Sequence, residues 1–170
     1  MLITLAALAV AAQSDPLAPA RDGLVQCYDP APAEKRCRAM GSYEFLPDGT
    51  IMNLSANRLQ DTPPVVMFAR SAVALRDGKE CTVTPFTAAE IEGVQVAGQP
   101  LPDAALAGVR DQIISALPAV MTSGAPMCST YTANADGTLT ATVDIEGVAH
   151  PEFTSTLRWV DPAEGWRVQD

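Results

Sequence analysis

The chain has 170 residues, of which 48% are hydrophobic and 18% are charged, and its 20 acidic and 11 basic residues give a net charge of -9. This length and hydrophobic content predict a single compact domain with its own core and exclude a disordered chain. The acidic balance excludes nucleic acid and anionic lipid surfaces as partners, because binding to either needs clustered lysine and arginine.

The first segment of the chain is an apolar run over 2–12. It is too short to cross a bilayer as a helix, but it has the length of the hydrophobic region of a signal peptide. Small residues at Ala9, Ala11 and Ala12 provide a cleavage site, although no lysine or arginine precedes the run. We therefore predict a signal peptide over 1–12, and the alternative is a buried N-terminal helix or strand.

The segment that follows, 13–26, is polar, contains prolines and has no periodicity, so we predict a flexible N-terminal arm. A single disulfide-bonded domain is expected over 27–170. The mature protein is then periplasmic or secreted and contains no integral membrane span.

Four cysteines lie in this domain, and an even number fits the oxidising compartment that a signal peptide implies. They are Cys27, Cys37, Cys81 and Cys128. The absence of a C-x-x-C spacing argues against a thioredoxin-type redox site and a zinc knuckle. Of the three connectivities we favour Cys27 with Cys37, which closes a short proline-rich loop, and Cys81 with Cys128, which brackets the one long helical segment.

Asp-Gly pairs mark hairpin turns in the first half of the domain. Residues 42–46 and 51–56 flank Asp48-Gly49, a sequence that supplies the positive φ of a tight turn, so we predict a hairpin. The apolar run 65–75 predicts a long strand. Asp77-Gly78 then turns the chain into another strand.

The middle of the chain has helical signals. Thr87 and Glu90 have the spacing of a capping box, which predicts one helical turn. Apolar residues at spacings of three and four predict an amphipathic helix from Pro102 to about Leu117, and Pro118 ends it.

The last third alternates apolar and polar residues over 139–145 and 153–159, which predicts strands with one buried face. Tyr43 recurs 88 residues later as Tyr131, and the Asp-Gly turn after it recurs too. This recurrence indicates an internal duplication, unless two hairpins merely share a common turn. The predicted fold is α+β, a curved antiparallel sheet of about 7–8 strands in two β-meanders that flank one central amphipathic helix.

Candidate catalytic residues are few. His150 is the only histidine, and Asp144 and Glu146 share a face of a predicted strand. Such groups perform acid-base chemistry, but a turn histidine and exposed carboxylates are the ordinary interpretation. No EF-hand, phosphate-binding loop or zinc spacing occurs, so we expect no metal and no cofactor.

A threonine-rich surface is predicted on the last strands, where it could contact another protein. Threonine is also common at exposed strand positions, which is the simpler explanation. The residues are Thr138, Thr140, Thr142, Thr154 and Thr156.

The expected protein is an exported, non-enzymatic domain of the bacterial envelope that binds a small ligand or another envelope protein. The basic residues are nearly all arginine, with Lys35 and Lys79 the only lysines, which is typical of GC-rich bacterial genomes. One alternative is a periplasmic hydrolase or isomerase that uses carboxylates near His150. Another is an envelope structural or stress protein that acts through its threonines.

Overall fold

The computed structural model describes residues 15–169 and consists mainly of antiparallel strands. In chain order the strands are β1 Val25–Tyr28, β2 Arg36–Cys37, β3 Ala39–Phe45, β4 Ile51–Asp61, β5 Pro64–Arg76, β6 Lys79–Thr82, β7 Ile91–Val96, β8 Gln99–Pro100, β9 Met127–Ala133, β10 Leu139–Ile145, β11 Val148–Ala149, β12 Ser155–Val160 and β13 Arg167–Val168. The helices are α1 Ala18–Arg21, α2 Asp103–Ala116 and α3 Ala119–Thr122, with 3₁₀ turns at Ala88–Glu90, Pro151–Phe153 and Pro162–Glu164.

Eight of the strands close into an antiparallel barrel. Strands β3 to β6 pair in chain order, β6 pairs with β9, and β9, β10 and β12 follow. The ring is completed by β1, which pairs with β3 on one side and with β12 on the other. Each barrel strand therefore has a partner on both sides, which is how a barrel satisfies its backbone hydrogen bonds.

The predicted α+β fold, with two meanders around a central helix, is wrong. The hairpins are present, but alternation of apolar and polar residues does not distinguish an open sheet from a closed one. The strand over 25–28 that closes the ring is not predicted from the sequence, because it is only four residues long and begins inside the predicted arm over 13–26. The long helix is α2, and it packs on β7 and the start of β5 instead of being wrapped by the sheet.

The helix lies where the sheet divides. The C-terminal half of β5 pairs with β6, whereas its N-terminal half pairs with β7. Leu106 of α2 packs there against Met67 and Ala69 of β5 and Ile91 and Val94 of β7. Each of these five side chains is at most 6% exposed, so burial of apolar surface holds the helix in place.

The two ends of the barrel differ. The turns at 46–50, 77–78 and 134–138 lie at one end, where α1 packs with Arg21 over the ring of Phe45 at 4.0 Å. Leu17, just before α1, is fully buried. The opposite end carries the longer connections, including the insertion from 83 to 126 that contains α2 and α3.

Both disulfides have the predicted pairing, Cys27 with Cys37 and Cys81 with Cys128. The first lies in a cluster outside the barrel with Val160, beside the small parallel pair of β2 and β13. The second joins β6 to β9 and so fixes both ends of the insertion. Bonds of this kind are typical of proteins in oxidising compartments.

The predicted signal peptide lies outside the described residues. Of the predicted N-terminal arm, residues 15–26 form α1 and the start of β1. None of the helices within 15–169 is long and apolar enough to cross a membrane.

Candidate functional site

A cavity of about 520 Å³ extends from one end of the barrel into its interior. It exists because several inward positions carry small side chains, among them Gly41, Ser55 and Ser129. Exposed residues at the end with the longer connections, such as Leu59 and Glu152, also line it, so the cavity reaches the surface there. A smaller adjoining cavity of about 170 Å³ shares several of the same lining residues.

Five polar side chains from four strands meet at the inner end of this cavity, and we call them the Glu80 cluster. They are Gln26 and Tyr28 of β1, Tyr43 of β3, Glu80 of β6 and Tyr131 of β9. Strand alternation turns them inward, and cross-strand pairing brings them to a similar depth. The cluster is therefore assembled by the barrel and not by any local segment.

Two tyrosine hydroxyls contact the same carboxyl oxygen of Glu80. The hydroxyl of Tyr131 donates to Oε2 at 2.6 Å, and the hydroxyl of Tyr43 lies 2.7 Å from the same atom. Neither of these tyrosine hydroxyls contacts the other oxygen, Oε1. Glu80 is 9% exposed, so a buried carboxyl group lies beside the cavity.

Gln26 joins the three tyrosines and is 1% exposed. Its Nε2 donates to the hydroxyl of Tyr131 at 3.1 Å. Its Oε1 lies 2.9 Å from the hydroxyl of Tyr28 and 2.7 Å from that of Tyr43. Gly41 leaves room for this amide, because a Cβ at Gly41 would lie 3.0 Å from Oε1 of Gln26.

Burial raises the pKa of Glu80, since removal from water disfavours the charged form, and the hydroxyls of Tyr131 and Tyr43 and the amide of Gln26 oppose this effect only in part. Burial also raises the pKa of Tyr43, with the charge of Glu80 adding to the effect. The pKa of Tyr131 is raised by burial and by the neighbouring Tyr28 and Glu80. The tyrosines therefore act as hydrogen-bond donors.

Among the described residues, no basic side chain neutralises Glu80. None of the ion pairs within residues 15–169 includes it. Lys79 precedes it in the chain but points to the outer face of the strand, where its Nζ lies 2.6 Å from Oδ2 of Asp144. Burial of an unpaired carboxylate costs free energy, because the charge loses its hydration without gaining a counter-charge.

The arginines that line the cavity in the described part of the chain, Arg38 and Arg58, lie at its open end. Arg58 pairs with Asp61 at 3.0 Å and donates to Gln169, and Arg38 lies 3.9 Å from Asp29. These basic groups already have acidic or amide partners. The inner end of the cavity therefore contains hydrogen-bond acceptors and hydroxyl groups but no positive charge.

The predicted catalytic residues are not part of the Glu80 cluster. Asp144 is on the outer face of β10 with Lys79, and Glu146 is exposed in the turn that follows. His150 places Nδ1 2.8 Å from Oε1 of Glu152. This contact lowers the pKa of the Glu152 carboxyl group. Nothing in the structure tests a catalytic role for Asp144, Glu146 or His150, which stays a prediction.

The predicted threonine surface is divided. Thr140 pairs with Thr156 across β10 and β12 on the outer face, with Thr142 further along β10. Thr138 is engaged in the turn through Asp136, and Thr154 lines the mouth of the cavity. An interaction role for this surface also stays a prediction.

The sequence does not single out Gln26, Tyr28 or Glu80. One signal for the cluster was present, because Tyr43 and Tyr131 are the pair that recurs at a spacing of 88 residues, and both contact Oε2 of Glu80. The strands that carry them, Ala39–Phe45 and Met127–Ala133, have the same spacing.

Within residues 15–169 no group of three or more histidine, cysteine or acidic side chains could hold a metal ion. Comparisons with protein-family models, with curated proteins and with solved structures gave no match.

Proposed function

We propose that this protein binds a small organic molecule inside its barrel and performs no chemistry on it. The observation that carries the proposal is the cavity of about 520 Å³ that ends at a buried, unneutralised carboxyl group. Ligand sites in proteins have volumes of roughly 300–1,000 Å³ and combine apolar walls with a few converging polar groups.

The walls and floor of the cavity support this function. Met121, Met127 and Phe153 supply adaptable or aromatic surface, and the Glu80 cluster supplies polar atoms at one end. The rigid barrel holds the polar atoms in place, so little ordering is needed when a ligand enters.

We also infer that the protein acts in the periplasm or outside the cell. The apolar run over 2–12 and the two disulfides support that location. A binding protein in such a compartment meets small molecules before they reach the cytoplasm.

The test is to block the cavity. Ser129 lines both cavities, and Ser129→Trp would fill the space next to Glu80. Thr132 lies on the outer, exposed face of the same strand, so Thr132→Trp is the matched control. Thermal-shift measurements would use 2-phenylethylamine, 2-phenylethanol and phenylacetate, which share a ring and differ in their polar group.

At least one of the three probes should raise the melting temperature of the wild type and of Thr132→Trp, but not that of Ser129→Trp. The proposal fails if none of them does so at millimolar concentrations. It also fails if Ser129→Trp responds as the wild type does.

A further inference from the structure

The Glu80 cluster is one hydrogen-bond donor short when its carboxyl group is ionised. Its hydroxyl oxygens make four close contacts with acceptors, two on Oε1 of Gln26 and two on Oε2 of Glu80. Three tyrosines supply only three hydroxyl protons. Tyr43 takes part in two of the contacts with a single proton, so one pair of oxygens at 2.7 Å is left without a hydrogen between them.

A proton on Glu80 removes this shortage in the empty barrel. Oε2 then donates to Tyr43, Tyr43 donates to Gln26, and Tyr131 still donates to Oε2. All four contacts are filled, and no charge is buried. Turning the Gln26 amide over fills these four contacts with an ionised Glu80 but moves the shortage to another contact, because the amide oxygen would then face Tyr131 at 3.1 Å, whose proton is already on Oε2.

Glu80 therefore ionises in the barrel only when a cation from outside compensates its charge. Both tyrosine contacts of Glu80 are on Oε2, which leaves Oε1 toward the cavity, and no basic side chain within residues 15–169 forms an ion pair with Glu80. The titratable groups that face the carboxyl group are Tyr28, Tyr43 and Tyr131, from β1, β3 and β9. A ligand with a positive charge would supply at Oε1 the counter-charge that an ionised Glu80 lacks, together with hydrogen-bond donors, whereas an anion would be repelled by this carboxylate.

We propose that the ligand carries a protonated amine, which binds Oε1 of Glu80 and displaces the proton that this side chain holds in the empty barrel. The proton passes to the solvent. The barrel then contains two opposite charges, the ammonium group of the ligand and the carboxylate of Glu80. The aromatic rings of the three tyrosines border the same space and favour a cation. The net charge of -9 attracts cations toward the protein.

This inference rests on the proposed binding function, and one set of probes tests both. Isothermal titration of the wild type with 2-phenylethylamine, 2-phenylethanol and phenylacetate compares an amine, an alcohol and a carboxylate on the same ring. We expect the amine to bind at least about tenfold more tightly than the alcohol, and phenylacetate to bind most weakly. The dependence of the amine's binding enthalpy on buffer ionisation should show release of a proton.

The matched variants are Glu80→Gln and Glu44→Gln. Both remove one carboxylate, but Glu44 lies on the outer face of β3, paired with Arg70 at 2.6 Å. Glu80→Gln should bind the amine no better than the alcohol and release no proton, while Glu44→Gln should behave as the wild type does.

Equal binding of alcohol and amine by the wild type, or amine binding without proton release, overturns the amine proposal but leaves the binding function standing. Binding of none of the three probes overturns both. The affinities of the three probes and the proton release are measured on the wild type, so they test both proposals even if Glu80→Gln does not fold.

Discussion

Tyr131 donates its hydroxyl proton to Oε2 of Glu80 at 2.6 Å, across the pairing of β9 with β6. Tyr131→Phe removes this donor and also the acceptor for Nε2 of Gln26. We expect the free energy of unfolding to fall by about 1–3 kcal/mol, because buried polar atoms lose their partners. Urea denaturation measures the change.

Thr132→Val is the control for this substitution, since Thr132 neighbours Tyr131 but is exposed on the outer face. It should change the free energy of unfolding by less than about 0.5 kcal/mol. Equal effects of the two substitutions would show that the Tyr131 hydroxyl does not contribute.

The stability of the wild type should fall with rising pH relative to that of Glu80→Gln. Burial raises the pKa of Glu80 in the folded state above its ordinary value of 4.5. For such an acid the stabilisation is complete below the unfolded pKa and is lost as pH rises to the folded pKa. The window therefore begins near pH 4.5 and extends upward, with a slope of at most about 1.4 kcal/mol per pH unit.

Urea denaturation of both proteins from about pH 4 to about pH 8 measures this difference. Asp48, Asp136 and Glu152 have lowered pKa values and act in the opposite direction at lower pH, but both proteins contain them. A difference that does not vary with pH would mean that Glu80 ionises in the folded protein as it does in the unfolded chain.

Local signals predicted the local structure well. The Asp-Gly turns placed the hairpin of β3 and β4, and Pro102 and Pro118 bounded α2. Turn and helix-end signals depend on the conformation of a few consecutive residues, so a single sequence contains them. The disulfide pairing was also predictable. The short proline-rich loop after Cys27 and the helical segment between Cys81 and Cys128 favoured one of the three possible connectivities.

Closure of the barrel and the Glu80 cluster were not predictable in this way. Glu80 stands between Lys79 and Cys81, and a glutamate beside a lysine is typical of an exposed strand. Its burial follows from the register of β6 against its neighbours, which is a long-range property. The favoured pairing of Cys81 with Cys128 did contain this information, since it places β6 beside β9 and sets Glu80 opposite Ser129.

Gly41→Ala should destabilise the protein by displacing Gln26. The added Cβ would lie 3.0 Å from Oε1 of Gln26 and 3.2 Å from Nδ2 of Asn53. Overpacking of this kind costs about 1–3 kcal/mol, and binding of 2-phenylethylamine should weaken as well. Denaturant unfolding and calorimetry measure the two effects.

Gly108→Ala is the matched change in α2, where an added Cβ would meet no atom within 4 Å. It should stabilise the protein by about 0.5–1 kcal/mol, because alanine loses less backbone entropy than glycine in a helix. A stabilising effect at both positions would show that the Gln26 amide is free to move.

Loss of the Cys81–Cys128 bond should be more damaging than loss of the Cys27–Cys37 bond. The first spans 47 residues and the second 10, so chain entropy predicts losses of about 4 and about 3 kcal/mol when each pair is replaced by alanine. The longer bridge also fixes β6 and β9, which carry Glu80 and Tyr131. We therefore expect the Cys81→Ala/Cys128→Ala protein to bind 2-phenylethylamine more weakly than the Cys27→Ala/Cys37→Ala protein, by calorimetry under conditions where both are folded. The reverse order would mean that the bridge next to β1, rather than the one between β6 and β9, holds the cluster in its binding geometry.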